Sequence, residues 1–243
     1  MRYIGWLNML LVTVILLTVG VLAAPSDDFV VLYYSFDEIV DGRVMDQSGN
    51  GINGMVCGTV NSVQGVRGLA GQFVGKSFVD LSGFPSALIP KDEISIMAWI
   101  KVSPGETREI FNTQSSDETW VFHPEVRADG KYRWLVRTSN MQTIFDMQVG
   151  EVTWDSWVHF SAVYSATEGY GALYINGEEV FRQQVAKGID MIQDWGKGAR
   201  IGLTINDGRP FGGTMDDFII WNKALQADEI RCVMENGVEL GAN

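Results

Sequence analysis

Beyond residue 28 the chain alternates apolar and polar positions in short runs. Ile94, Ile96, Ala98, Ile100 and Val102 alternate with Ser95, Met97, Trp99 and Lys101. Val158, Phe160, Ala162 and Tyr164 alternate with Trp157, His159, Ser161 and Val163. A period of two predicts strands that bury one face, with aromatic residues also on the second. Turn chemistry falls between such runs. Ala128-Asp129-Gly130-Lys131 separates residues 119–127 from 132–138, and Asn176-Gly177 separates 171–175 from 178–185. Asp-Gly or Asn-Gly between two strand runs predicts a hairpin, and Gly177 supplies the positive φ of a type I′ turn. The pattern shows no βαβ rhythm and no internal repeat. Only residues 225–234 have apolar positions at helical spacing, with Asn236-Gly237 as the stop. Asp228 and Glu229 complement the positive end of that helix, and Asp228 is a candidate cap. These elements predict an all-β fold, a two-sheet antiparallel jelly-roll sandwich with a short C-terminal helix.

The first 23 residues break the pattern. Arg2 precedes a mostly apolar run from Leu7 to Leu22, and Ala23 and Ala24 close it. This is the layout of a secretory signal peptide, with cleavage after Ala23 and a domain over 24–243. The alternative is an uncleaved membrane anchor, because the run approaches the ~20 residues of a spanning helix. Either way the chain is expected to be exported: extracellular, at a cell surface or periplasmic. Eighteen Lys and Arg against 30 Asp and Glu give a formal charge of −12. Such a surface repels phosphate backbones, so nucleic acid is not an expected partner. Cys57 and Cys232 are the two cysteines. In an oxidising compartment a lone pair is most simply a disulfide, two free buried thiols being the alternative.

Four blocks, in order, resemble the LamG-like jelly-roll family of the concanavalin A-like lectin and glucanase superfamily. The first is Tyr34-Ser-Phe-Asp-Glu38 with Asp46-Gln-Ser-Gly-Asn50. The second joins Gly68-Leu-Ala-Gly-Gln-Phe73 and Phe78-Val-Asp80 to Ile94-Ser-Ile-Met-Ala-Trp99. The third is Trp157-Val-His159 with Leu173-Tyr-Ile-Asn-Gly177. The fourth runs through Phe211-Gly-Gly-Thr-Met-Asp216 and Trp221-Asn-Lys-Ala-Leu225 to Asp228-Glu-Ile230. The resemblance covers residues 30 to 237 and implies a jelly roll that binds glycans, binds surface proteins, or cleaves polysaccharides.

Candidate chemistry follows from residue types. Calcium takes six to eight oxygen ligands. Asp37, Asp46, Asn50 and Asp216 are the candidate metal ligands, because the resembled fold brings its first and last strands together. The Asp46 loop echoes the start of an EF-hand, but its twelfth position is Cys57 and no Glu closes a cage. The plainer reading gives Asp46 and Asn50 an Asx turn and Asp216 a buried backbone partner. For a sugar, Trp120, His123, Trp134 and Arg137 of the central hairpin are candidates, with Asn206 and Arg209 on a loop that would rim them. Each could equally serve the core. His159, between apolar strand positions, reads as structural. Retaining glycosidases need two carboxylates about 5–5.5 Å apart. No strand carries the alternating Glu, Asp, Glu of the superfamily's glucanases, and Asp216 and Asp217 are adjacent, so alternation points them to opposite faces. The expectation is therefore a secreted, non-enzymatic glycan-binding module, with calcium as a possible cofactor. A protein-adhesion domain is the alternative, and a hydrolase or lyase the third reading.

Overall fold

The computed structural model describes residues 24–238 and 240. The expected signal segment, residues 1–23, lies outside the described residues. The first strands are β1 (Val30–Tyr34), β2 (Ile39–Val40), β3 (Arg43–Val44), β4 (Gly54–Gln64), β5 (Leu69–Asp80) and β6 (Glu93–Lys101). The middle of the chain forms β7 (Arg108–Glu109), β8 (Phe111–Gln114), β9 (Trp120–Val126), β10 (Tyr132–Thr138) and β11 (Gln142–Val149). Then come β12 (Val158–Ser165), β13 (Tyr170–Ile175), β14 (Glu178–Gln184), β15 (Gly198–Ile201), β16 (Thr214–Trp221) and the helix α1 (Ala227–Asn236).

Two antiparallel layers share β5. One runs in the order β11-β10-β9-β8-β15-β5, and the other continues β5-β16-β6-β12-β13-β14, with β1 also on β16. Val79 and Asp80 of β5 pair with β15, while Gly71 and Gln72 pair with β16. One strand thus feeds both sheets, which is the jelly-roll sandwich expected from the pattern. The alternation of β6 and β12 holds: Ile94, Ile96, Ala98 and Ile100 meet Val158, Phe160, Ala162 and Tyr164 in the main core. Met97 and Val163, on the opposite faces, pack in a second core with Tyr174, Ile219, Trp221 and Ile230 of α1. About a third of the buried residues in each core are aromatic, and aromatic side chains contribute the most buried apolar area per residue.

Both hairpins form where turn chemistry placed them. Tyr132 pairs with Val126 across the Asp129-Gly130 turn. At Asn176-Gly177 the φ angles are 51° and 77°, as a type I′ turn requires. A Cβ at Gly213 would lie 2.7 Å from the carbonyl oxygen of Lys101, so only glycine allows β16 this close to β6. The helix begins two residues later than expected. Its first turn is held by Glu229, which accepts from the backbone N–H of Gln226 at 2.9 Å, and Asp228 does not serve as the cap.

The expected Cys57–Cys232 disulfide is not formed: both cysteines are free. Cys57 sits in β4 opposite Phe78 of β5, whereas Cys232 is in α1, where Asn236 bonds its sulfur. The four proposed calcium ligands do not make one cage either. Asp46 accepts from the backbone N–H groups of Tyr33, Ser48 and Ile52 and from the Ser48 hydroxyl. The Asn50 amide donates to the carbonyls of Val30 and Val31. Asp37 and Asp216 instead hold the β4–β5 loop. Asp37 accepts from the N–H of Leu69 at 2.7 Å, and Asp216 from those of Val66 and Arg67 at 2.8 and 3.0 Å. Among the described residues, the carboxylates of Asp37, Asp46 and Asp216 do not gather within metal-holding range.

Asp216 and Asp217 also depart from simple alternation. A bulge between Asp216 and Ile219, with Asp217 at φ 47°, lets both reach Arg67. Asp217 takes the guanidinium at 2.7 Å and the Tyr33 hydroxyl at 2.7 Å. Asp46, by contrast, organises the first loop through four donors, and each bond to a charged acceptor contributes about 1.5–3 kcal/mol. Asp46→Ala is expected to lower the unfolding free energy by about 2–3 kcal/mol, read from urea denaturation. A loss under about 0.5 kcal/mol would show the loop to be held by other contacts.

Candidate functional site

On β9 and β10 the inward positions are apolar: Phe122, Trp134 and Val136 are fully buried in the main core. Alternation therefore sends His123, Glu125, Arg133 and Arg137 to the other face. Pairing aligns them, with Arg133 opposite Glu125 and Leu135 opposite His123. On the flanking strands, Glu109 of β7 pairs with Glu125, and Asp146 of β11 pairs with Leu135. A ladder of ionisable side chains thus crosses the outer face of this sheet.

The loop between β15 and β16 closes one side. Asn112 of β8 accepts from the N–H of Ile205 at 3.0 Å. Arg200 donates to the carbonyls of Thr204 and Ile205 and pairs with Asp207 at 2.7 Å. The Thr204 hydroxyl accepts from the N–H of Gly208 at 2.9 Å. This bracing holds Asn206 and Arg209 over the sheet. The resulting hollow, about 290 Å³, is lined by Trp120, His123, Arg133, Arg137, Thr204, Asn206, Gly208 and Arg209.

Five of the six expected ligand-binding residues, Trp120, His123, Arg137, Asn206 and Arg209, therefore meet in one place. Trp134 does not join them: it is fully buried, faces inward opposite Pro124, and donates its indole N–H to the carbonyl of Val163 at 2.9 Å. Glu109 and Glu125 were absent from the expected set, whereas Arg133 belongs to the interleaved aromatic and basic residues of the candidate hairpin. Glu125 and Arg133 were accessible by period two from His123 and Arg137, but Glu109 arrives through a non-local pairing.

The floor of the hollow is a buried charge network. His123 Nδ1 lies 3.1 Å from Glu109 and 3.3 Å from Glu125, and both carboxylates are fully buried. Arg209 grips Glu125 on one oxygen, and Arg133 approaches the other at 3.2 Å. Arg133 also forks onto Asp146 with two bonds of 2.7 Å. Burial pushes the Glu109 carboxyl up to about 8, against the opposing pull of His123. Burial would raise Glu125 too, but His123, Arg209 and Arg133 hold it down at about 2. Desolvation would lower the His123 pKa; the adjacent Glu109 and Glu125 outweigh it and raise it. The network therefore keeps Glu125 ionised and favours the protonated forms of Glu109 and His123.

Glu109, His123 and Glu125 offer ligand atoms within 4.8 Å of one another, close enough to hold a metal ion. The arginines already gripping Glu125 supply the positive charge that an ion would bring. His159 lies elsewhere: it is buried against the Trp99 ring at 5.1 Å, and burial pushes its pKa down to about 3, as a neutral structural histidine. A larger hollow, about 410 Å³, beside Asn50, Asp80 and Phe84 gathers no buried ionisable cluster.

A sequence model of the concanavalin A-like lectin/glucanases superfamily matches residues 75–231. The chain belongs to this superfamily. No curated protein matches it. Among solved structures it is similar to domain 4 of an extracellular arabinanase from Geobacillus stearothermophilus, in complex with arabinotriose. The identity is 20%, the TM-score 0.64, and the match covers 85% of this chain and 98% of that domain. It is also similar to the binding domain of Paraclostridial Mosquitocidal Protein 1, at 16% identity and TM-score 0.64, over 86% of this chain and 52% of that one. A third is the binding domain of botulinum neurotoxin DC in complex with rat synaptotagmin II, at 14% identity and TM-score 0.66, over 88% and 53%. The chain spans about half the length of the two toxin domains. At these identities the likeness establishes the concanavalin A-like fold.

The network makes this superfamily member sensitive to pH. The folded protein holds protons on Glu109 up to about pH 8, whereas an unfolded Glu releases its own near 4.5. Between those values the native state binds more protons, so stability falls as pH rises. The raised pKa of His123 acts in the same direction. Thermal melts are expected to show the melting temperature declining from pH 5 to pH 9, with Glu109→Gln flattening the decline. An equal slope in the variant would remove Glu109 from the network.

Proposed function

We propose that this protein is a secreted, non-enzymatic carbohydrate-binding module, and that the ligand seats on the outer face of β9 and β10. The reading includes a signal peptide over residues 1–23 and one binding domain over 24–243. It is carried by the convergence of Trp120, His123, Arg137, Asn206 and Arg209 in one braced hollow. An aromatic face beside planar hydrogen-bonding groups suits a sugar ring and its hydroxyls, and a pre-braced loop reduces the ordering that binding requires.

Catalysis was the third reading, and the facing pair Glu109 and Glu125 is the one feature that favours it. Their burial argues otherwise. Both side chains are 0% exposed, and Glu125 is gripped by two arginines, which favours a structural role for the pair over contact with a scissile bond. They act as a charged floor that fixes His123, Arg133 and Arg209. Nor does this site need calcium, because arginines supply its cationic charge. The arabinanase domain seen with arabinotriose supports a sugar ligand, and the toxin domain seen with synaptotagmin supports a protein one. The polar, concave character of the hollow favours the sugar.

Purified residues 24–243 on a glycan array are expected to give saccharide hits that survive chelation of calcium. Trp120→Ala should weaken the best hit by at least about tenfold in calorimetry, roughly 1.4 kcal/mol, with the melting temperature little changed. A blank array would shift the assignment to a protein receptor.

A further inference from the structure

The hollow on β9 and β10 carries a charge opposite to that of the molecule around it. The chain as a whole has a formal charge of −12. Around the hollow, Arg127, Arg133, Arg137 and Arg209 stand against the ionised carboxylates of Glu125 and Asp146, and burial holds Glu109 toward its protonated, uncharged form. The guanidiniums are not equally occupied. Arg133 is forked onto Asp146, and Arg209 is held on Glu125. Arg127 lies 3.5 Å from Glu125.

Arg137 is the exception. Its one hydrogen bond is a long contact of 3.4 Å to the carbonyl of Trp120, and no carboxylate lies within 4.0 Å of it among the described residues. It is half-buried, and it lines the hollow beside Trp120 and His123. Burial and the neighbouring charge of Arg133 lower its pKa, and the more distant Asp146 and Glu125 offset this only in part. A half-buried guanidinium with free donors is stabilised most by an anion, and its planar fork accepts a carboxylate or sulfate through two parallel bonds.

Resting on the binding site proposed above, we infer that the ligand is an acidic saccharide, its anionic group paired with Arg137 and its ring laid against Trp120. A neutral sugar would leave the Arg137 charge uncompensated inside the hollow. The net negative charge of the chain disfavours such a ligand, and the arginines of the hollow oppose that repulsion locally.

The test is a panel of uronate-containing, sialylated, sulfated and neutral glycans on the purified 24–243 protein. Titration then compares the best acidic ligand with its neutral counterpart, a methyl ester where the acid is a carboxylate. The acid is expected to bind at least about tenfold more tightly, and its affinity to fall with added salt. In Arg137→Leu the acid should drop to the affinity of the neutral form, and Arg137→Lys should keep part of the preference. Comparison of the carboxylated and sulfated arms identifies the anionic group. Equal binding of acid and neutral forms to the unaltered protein, or a preference that Arg137→Leu leaves intact, overturns the acidic ligand while the glycan site stands. If no saccharide binds at all, both fall together.

Discussion

Side chains on a strand alternate, and packing Phe122, Trp134 and Val136 into the sandwich commits every other residue of β9 and β10 to the opposite face. The site depends on that constraint. A slip of one residue in either strand would turn His123, Glu125, Arg133 and Arg137 into the aromatic core, where unpaired charges are costly. The core therefore specifies the register, and the register assembles the ladder. The same logic makes Trp134, an apt residue for sugar stacking by type, unavailable to a ligand, whereas Trp120, of the same parity as Phe122, lines the hollow beyond a register shift between β8 and β9.

Burying two glutamates and a histidine under the hollow is expensive unless each is paired. The structure meets this by placing arginines from three directions: Arg133 from the neighbouring strand, Arg209 from the β15–β16 loop, and Arg127 from the end of the hairpin. The arginines are thereby fixed by the floor they neutralise. Arg209 ties the loop to the sheet, and Asn112 and Arg200 brace the loop from β8 and β15. Rigidity and charge thus have one origin here.

At β1 and β16 carboxylates do different work. Asp46, Asp37 and Asp216 satisfy backbone N–H groups of loops, and Asp217 clasps Arg67. Buried N–H groups need acceptors, and a carboxylate is a stronger acceptor than a neutral oxygen. Acidic residues in a glycine-rich loop look alike whether they hold a cation or a backbone. Asp216 retains one buried oxygen without a partner, and burial raises its pKa to about 6, the local consequence of seating an acid inside the bulge.

The sequence by itself determined the strands, both hairpins and the terminal helix, because period-two burial and the φ requirements of Asn-Gly and Asp-Gly turns are local. It also placed Trp120, His123 and Arg137 on one hairpin, while the face on which Trp120 emerges was left to a register shift between β8 and β9. The tertiary structure decided what depends on distant strands. Glu109 reaches Glu125 only through the pairing of β7 with β9, and Asn206 and Arg209 reach the hairpin only because β15 lies beside β8. Cys57 and Cys232 stay apart for the same reason, on a strand and a helix that pack against different partners. The bulge that brings Asp216 and Asp217 to one arginine was beyond simple alternation, because an extra residue in β16 shifts its pairing with β6.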